Sequence, residues 1–89
     1  MASPSVLLID DDASLLDLVA LAFEDAGWTV VTAADGLAGY RGIREHAPSL
    51  VVSDVNMPLL DGFALCRKLR SEQNFVPLLL LTSRGDEID

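Results

Sequence analysis

Acidic and hydroxyl side chains follow three apolar stretches of this chain, at positions where they could act together on a phosphate group. They are Asp10, Asp11 and Asp12 after residues 6–9, Asp54 after residues 50–52, and Thr82 at the end of residues 77–82. If the first two stretches are neighbouring strands, three of the carboxylates converge. At an assumed separation of about 6 Å each pair repels by roughly 3 kcal/mol. Such a cluster must retain protons or bind a cation.

A magnesium ion is the cation that this donor set favours. The ligands are all oxygens and are few, which leaves coordination positions for water and phosphate, as Mg²⁺ prefers. A carboxylate beside such an ion can attack a phosphoryl group. We interpret Asp54 as the nucleophile because it stands alone at a strand end, and Asp10 and Asp11 as metal ligands. Asp12 is better explained as a helix cap.

Hydrophobic periodicity predicts the elements that must position these residues. Continuous apolar or β-branched runs predict four strands, and three- to four-residue spacing of apolar side chains predicts three helices. The predicted strands are residues 6–9, 28–32, 50–52 running into 53–54, and 77–82; the predicted helices are residues 13–26, 37–45 and 63–72. Strands and helices alternate, so we predict an α/β fold with a parallel sheet and helices on both faces. The polar residues lie at the carboxyl ends of its strands, where such sheets bind ligands.

Composition excludes several classes of function. The chain has 89 residues, 51% of them hydrophobic, and six Lys and Arg against fourteen Asp and Glu, a net charge of −8. The mean hydropathy of +0.37 argues against disorder. The negative charge disfavours direct binding to nucleic acid or to anionic membranes. One cysteine, Cys66, forms no internal disulfide, and no targeting or membrane-spanning segment is evident, so a cytoplasmic location is expected.

Taken together, these motifs resemble the CheY-like receiver domain of two-component response regulators. The resemblance rests on residues 6–12, on Asp35-Gly36, on residues 52–62 and on residues 77–82. The segment from Asp54 to Gly62 is the most specific part. The resemblance implies a flavodoxin-like open parallel sheet with the strand order 2-1-3-4, which the hydrophobic pattern alone does not establish.

The resemblance also implies roles for the site residues. Asp54 would be the phosphoacceptor, taking a phosphoryl group from a sensor histidine kinase or a phosphotransfer protein. Asp10, Asp11 and Asp54, with the backbone carbonyl of Asn56, would hold Mg²⁺. Thr82 would be the switch hydroxyl that reports the aspartyl phosphate to an output surface. Such a domain is a signalling module with at most weak autophosphatase activity, often acting in transcription regulation.

The family pattern extends beyond this sequence. It continues with a helix, a fifth strand that ends in a lysine, and a last helix, whereas the one lysine here, Lys68, lies in the third predicted helix. Residues 1–89 are therefore expected to be a receiver domain that is incomplete at its C-terminus. The fourth strand would be an apolar edge, and we expect it to pair or exchange with a second copy in an isolated chain of 89 residues. The alternative that these residues are part of a longer protein is equally open.

Two other functions remain open on these residues. A Mg²⁺-dependent phosphohydrolase would also use an aspartate nucleophile, but such enzymes typically carry a second acid two residues later, where this chain has Asn56. A receiver fragment that is not phosphorylated could serve as an interaction or dimerisation module. The absence of the family's C-terminal lysine from this sequence supports that role, whereas the acidic cluster argues against it, because packing alone does not require repelling carboxylates.

Overall fold

Four strands alternate with three helices along residues 3–81, the part of the chain that the computed structural model describes. The strands are β1 (Ser5–Ile9), β2 (Thr29–Ala33), β3 (Leu50–Asp54) and β4 (Leu78–Leu81), and the helices are α1 (Ala13–Asp25), α2 (Gly36–His46) and α3 (Gly62–Ser71). The predicted elements are therefore all present, and no end differs from its predicted position by more than one residue.

The strands form one parallel sheet in the order β2-β1-β3-β4. This confirms the α/β class and the flavodoxin-like strand order. Ile9 on the central strand β1 pairs with Ala33 on one side and Ser53 on the other, and Asp54 pairs with Leu81. Because the strands end level with one another, the residues that follow β1 and β3 emerge at the same edge of the sheet.

The sheet is covered on both faces, as predicted. Alternate side chains of each strand point to opposite faces, so Leu8 and Val52 belong to the core on the α1 side, whereas Leu7 and Val51 pack with α2 and α3. These strand residues are at most 9% exposed. Burial on both faces explains why the central strands β1 and β3 are rich in consecutive apolar residues.

Each helix begins after an aspartate that caps it. The Oδ1 atoms of Asp12, Asp35 and Asp61 accept hydrogen bonds from backbone N–H groups three residues later, at 3.1, 2.8 and 2.8 Å. Such caps satisfy backbone donors that have no partner inside the helix. Asp12 thus acts as the cap of α1, as its position suggested, and its carboxylate is engaged there.

The start of the second strand differs from the prediction. The strand begins at Thr29, because Trp28 lies in the turn that follows α1, where its N–H donates to the Phe23 carbonyl at 3.0 Å. The two rings also pack edge to face, with centroids 5.3 Å apart. Gly27, with φ of 95°, makes the turn between them.

β4 is an edge strand of the sheet formed by residues 3–81. In this range it pairs with β3 alone, and its Leu79 and Leu81 side chains, on the α1 side, are 51% and 50% exposed. Among the same residues, no helix is long and apolar enough to cross a lipid bilayer.

Candidate functional site

Three carboxylates meet at the carboxyl edge of the sheet. Asp10 and Asp11 follow β1 and Asp54 ends β3, and one oxygen of each lies within 4.8 Å of the others. The pairing of β1 with β3 brings them together. Thus the structure places together the three acidic residues that the sequence analysis selected.

Asp54 is the most buried of the three. Its residue is 8% exposed, whereas Asp11 is exposed and Asp10 is intermediate. Its Oδ1 atom accepts a hydrogen bond from the backbone N–H of Asn56 at 3.3 Å. The carboxylate is therefore held by the turn that follows β3.

The pKa of Asp10 is raised by its surroundings in the acidic cluster. Partial burial raises its pKa above the ordinary value, and the negative charges of Asp54 and Asp11 raise it further. A hydrogen bond from the Asp12 N–H to Asp10 Oδ1, at 2.9 Å, opposes the shift. A positive charge at the cluster would relieve this repulsion.

The donor set of the cluster is compatible with a magnesium ion. It offers carboxylate oxygens from three residues and no nitrogen or sulfur ligand. One side of the cluster is open, because Asp11 is exposed. Mg²⁺ commonly binds to a few carboxylates and retains water or phosphate oxygens as further ligands.

Comparison with known proteins identifies the family. The family model described as "Response regulator receiver domain" matches residues 6–89. The chain belongs to the response regulator receiver domain family. Receiver domains are phosphoacceptor signalling domains of two-component systems, which agrees with the resemblance described above.

Curated relatives of this receiver domain are transcriptional regulators. It is 43% identical over 86 residues to the transcriptional regulatory protein AfsQ1 of Streptomyces coelicolor, an alignment that spans 97% of this chain and 38% of AfsQ1. It is 36% identical over 84 residues to the alkaline phosphatase synthesis transcriptional regulatory protein PhoP of Bacillus subtilis, of which it covers 35%. The chain thus spans little more than a third of the length of these relatives.

Solved structures confirm the CheY-like fold of the receiver domain. The chemotaxis protein CheY4 of Vibrio cholerae superposes with a TM-score of 0.86 at 35% identity, over 94% of this chain and 72% of that chain. A putative response regulator from Chloroflexus aurantiacus gives a TM-score of 0.87 at 31% identity, over 97% and 72%.

The predicted roles of two other site residues, Asn56 and Thr82, stay predictions. Asn56 lies in the turn after β3, two residues beyond Asp54, with its side chain exposed. Its N–H is directed to the Asp54 carboxylate, and the role of its carbonyl as a metal ligand stays a prediction. Thr82 lies outside the described residues, so its role as switch hydroxyl also stays a prediction.

The structure adds features of this receiver domain that sequence patterns did not indicate. Ser53, which precedes the predicted nucleophile, is completely buried, and its hydroxyl donates to the Asp54 carbonyl at 2.9 Å. A largely apolar cleft between α1 and the sheet opens beside the carboxylates. Its lining residues are Leu8, Ile9, Asp10, Leu15, Leu16, Val19, Val52, Asp54 and Leu81. A serine inside an apolar strand was the available signal for the first feature.

Proposed function

We propose that residues 1–89 act as a phosphoacceptor unit that takes a phosphoryl group onto Asp54. The observation that carries the proposal is the arrangement of the three carboxylates: Asp54 is the buried one, and Asp10 and Asp11 from the neighbouring strand lie within 4.8 Å of it. This arrangement supports a role for Asp54 as the nucleophile and for Asp10 and Asp11 as metal ligands beside it.

The transfer forms one bond and breaks one bond. An oxygen of the Asp54 carboxylate attacks the phosphorus of a phosphohistidine, and the new O–P bond gives an aspartyl phosphate. The P–N bond breaks, and its electron pair returns to the imidazole of the donor. The N–H of Asn56, 3.3 Å from Asp54 Oδ1, orients the attacking carboxylate.

Asp10, Asp11 and Asp54, with the Asn56 carbonyl, are the residues proposed to hold Mg²⁺. The bound ion would supply positive charge that neutralises both the carboxylates and the incoming phosphoryl oxygens. Without such charge, Asp10 and Asp11 would repel the anionic donor. The geometry of the acidic cluster supports this proposed need for Mg²⁺.

The proposed physiological donor is a sensor histidine kinase or a phosphotransfer protein. Family membership implies partners of this class, and the relatives AfsQ1 and PhoP are transcriptional regulators. We therefore propose that phosphorylation at Asp54 controls an output surface, in the family through the hydroxyl at the position of Thr82, and ultimately transcription. The net charge of −8 disfavours direct DNA contact by these residues.

The test is the intact mass of the chain after incubation with Mg²⁺ and acetyl phosphate. The chain should gain one phosphate, and Asp54→Asn should gain none. Asp17→Asn is the matched control, because Asp17 is an exposed aspartate on α1 outside the cluster; it should gain phosphate like the unchanged chain. Chelation of Mg²⁺ should abolish the gain.

Two results would contradict the proposal. The first is an equal gain of phosphate by Asp54→Asn, which would place the acceptor elsewhere. The second is the absence of any gain by a chain whose circular dichroism shows that it is folded. That result would favour an interaction module that lacks phosphoacceptor activity.

A dimerisation role is the second candidate, and the edge position of β4 favours it. Leu79 and Leu81, both in β4, are half exposed, and among residues 3–81 this strand pairs with β3 alone. Apolar edge strands recruit other strands. Light scattering should then show a dimer that Leu79→Lys weakens; a monomeric mass at high concentration contradicts this role.

A further inference from the structure

Ser53 is a buried polar residue without a role in the proposed phosphotransfer. It is 0% exposed, and it precedes Asp54 in β3. Its hydroxyl donates to the Asp54 carbonyl oxygen at 2.9 Å. The Met57 sulfur lies 3.6 Å from the same hydroxyl. A hydroxyl has one hydrogen to donate, and the shorter distance assigns it to the Asp54 carbonyl.

That carbonyl belongs to the peptide group between Asp54 and Val55, which is held at both ends. The Val55 N–H of this group donates to the Leu81 carbonyl at 2.8 Å, while the Ser53 hydroxyl binds its oxygen. The pairing of β1 with β3 extends to Ile9 and Ser53. The serine hydroxyl therefore binds the Asp54 carbonyl at the point where the pairing of β3 with β1 ends.

A third contact limits the same peptide group. A methyl group placed on Gly62, at the start of α3, would lie 2.9 Å from the Asp54 oxygen and 3.1 Å from the Val55 Cα. The Gly62 N–H also donates to the Val55 carbonyl at 2.9 Å. The peptide thus lies between the serine hydroxyl and the beginning of α3, with little room to rotate.

The orientation of this peptide determines where the turn after β3 goes. One residue further on, the Asn56 N–H reaches back to Asp54 Oδ1 at 3.3 Å. Rotation of the Asp54–Val55 peptide would move that N–H relative to the carboxylate. A misplacement of about 1 Å at a reacting group can cost a hundredfold in rate, so small rotations matter.

We propose that Ser53 is a positioning residue for phosphotransfer, whose buried hydroxyl holds the Asp54–Val55 peptide and thereby aligns the Asp54 carboxylate with the Asn56 N–H. The inference rests on the proposed function of Asp54. The Ser53 hydroxyl binds the backbone carbonyl of Asp54 rather than its carboxylate. It acts through the backbone of Asp54.

The experiment compares Ser53→Ala, which removes the hydroxyl, with Ser53→Cys, which keeps the shape but donates weakly. Rates of phosphate uptake are measured against acetyl phosphate concentration at saturating Mg²⁺. We write kcat for the maximal rate constant of phosphorylation of the chain and KM for the acetyl phosphate concentration at half that rate. We expect kcat to fall about tenfold in both variants, as loss of one buried hydrogen bond predicts, with KM unchanged. Ser71→Ala is the matched control. The Ser71 hydroxyl also donates to a backbone carbonyl, that of Lys68, at 2.7 Å, but on the exposed surface of α3.

A second readout does not depend on phosphorylation. The amide NMR signal of Asn56 reports its hydrogen bond to Asp54, and it should shift in Ser53→Ala and Ser53→Cys but not in Ser71→Ala. Wild-type kcat and an unchanged Asn56 signal in both Ser53 variants would overturn the inference. Recovery of the unchanged chain's kcat in Ser53→Cys would also overturn it. The loss in Ser53→Ala would then come from altered packing and not from the missing hydrogen bond.

The two proposals fail in different ways. If the unchanged chain takes up no phosphate, the proposed function fails, and the Asn56 signal still decides whether Ser53 positions the turn. If the unchanged chain is phosphorylated and the Ser53 variants match it, only the positioning role fails.

Discussion

Gly36, the first residue of α2, packs directly against the backbone of Leu60 in the turn that follows β3. A methyl group on Gly36 would overlap the Leu60 carbonyl oxygen and would lie 2.7 Å from the Leu60 Cβ. The obstacle is backbone, which cannot rotate away as a side chain can. This contact joins the start of α2 to the loop between Asp54 and α3.

Gly36→Ala should therefore destabilise the chain by about 1–3 kcal/mol, the usual cost of overpacking. Gly42→Ala in the same helix is the matched control, because its new methyl would lie 3.3 Å from a terminal carbon of the Leu7 side chain. Its gain in helix propensity, about 1 kcal/mol, should offset that adjustment. Urea unfolding measures both, and equal free energies of unfolding for the two variants would contradict the prediction.

Leu59→Gly should stabilise the chain. Leu59 lies in the turn before α3 with φ of 73° and is 74% exposed. Its left-handed backbone conformation costs conformational energy, and its side chain contributes little stability through burial. Relief of this strain, less the added freedom of glycine in the unfolded chain, should give about 0.5–1 kcal/mol.

The same substitution at Leu18 should have the opposite sign. Leu18 is 67% exposed in the middle of α1, where glycine costs about 1 kcal/mol. Thermal unfolding of both variants tests the comparison. A lower melting temperature for Leu59→Gly would show that the Leu59 side chain or its backbone contributes more than the strain costs.

A hydrogen bond between α2 and α3 should make stability depend on pH. The Tyr40 hydroxyl lies 2.7 Å from the Glu72 carboxylate and lowers the pKa of Glu72 below its ordinary value, and Lys68 and Arg44 add smaller effects in the same direction. A lowered folded-state pKa stabilises the fold above the unfolded pKa, and this stability is lost as pH falls through the folded pKa.

Tyr40→Phe should consequently lower the free energy of unfolding at neutral pH. The difference in this free energy between the variant and the unchanged chain should shrink as pH falls below 4.5, the ordinary pKa of Glu72. Denaturant titrations between acid and neutral pH give the curve. In a Glu72→Gln background the pH-dependent part of the difference should vanish, and its persistence there would point to another group.

Repulsion within the acidic cluster should be measurable without metal. Asp11→Asn removes one charge from the three carboxylates that lie within 4.8 Å. It should raise the free energy of unfolding in chelator by on the order of 1 kcal/mol. If Mg²⁺ binds to the folded cluster as proposed, added Mg²⁺ should stabilise the unchanged chain and should stabilise the variant less.

Asp17→Asn, outside the cluster, is the control for this prediction and should respond to Mg²⁺ like the unchanged chain. A stabilisation by Mg²⁺ that is equal in all three chains would show that the ion binds elsewhere.

Local patterns were sufficient for the elements and for the choice of acidic residues. Strands buried on both faces read as apolar runs, and helix ends depend on nearby residues. The local sequence therefore indicated that α1 starts after Asp12 and ends before Gly27. The strand order, by contrast, came from the family resemblance. Trp28 was misassigned because its contact with Phe23 competes with strand pairing.

Only the tertiary structure decided which side chains meet. Asp10 and Asp54 converge because β1 pairs with β3 in a register that ends both strands level, a relationship that no local pattern encodes. The burial of Ser53 and the contact of Gly36 with Leu60 depend likewise on how distant segments pack. The sequence by itself determined the secondary structure and the chemistry available, because both arise from neighbours along the chain. The geometry of the site arises from strand register and helix packing, which exist only in the folded sheet.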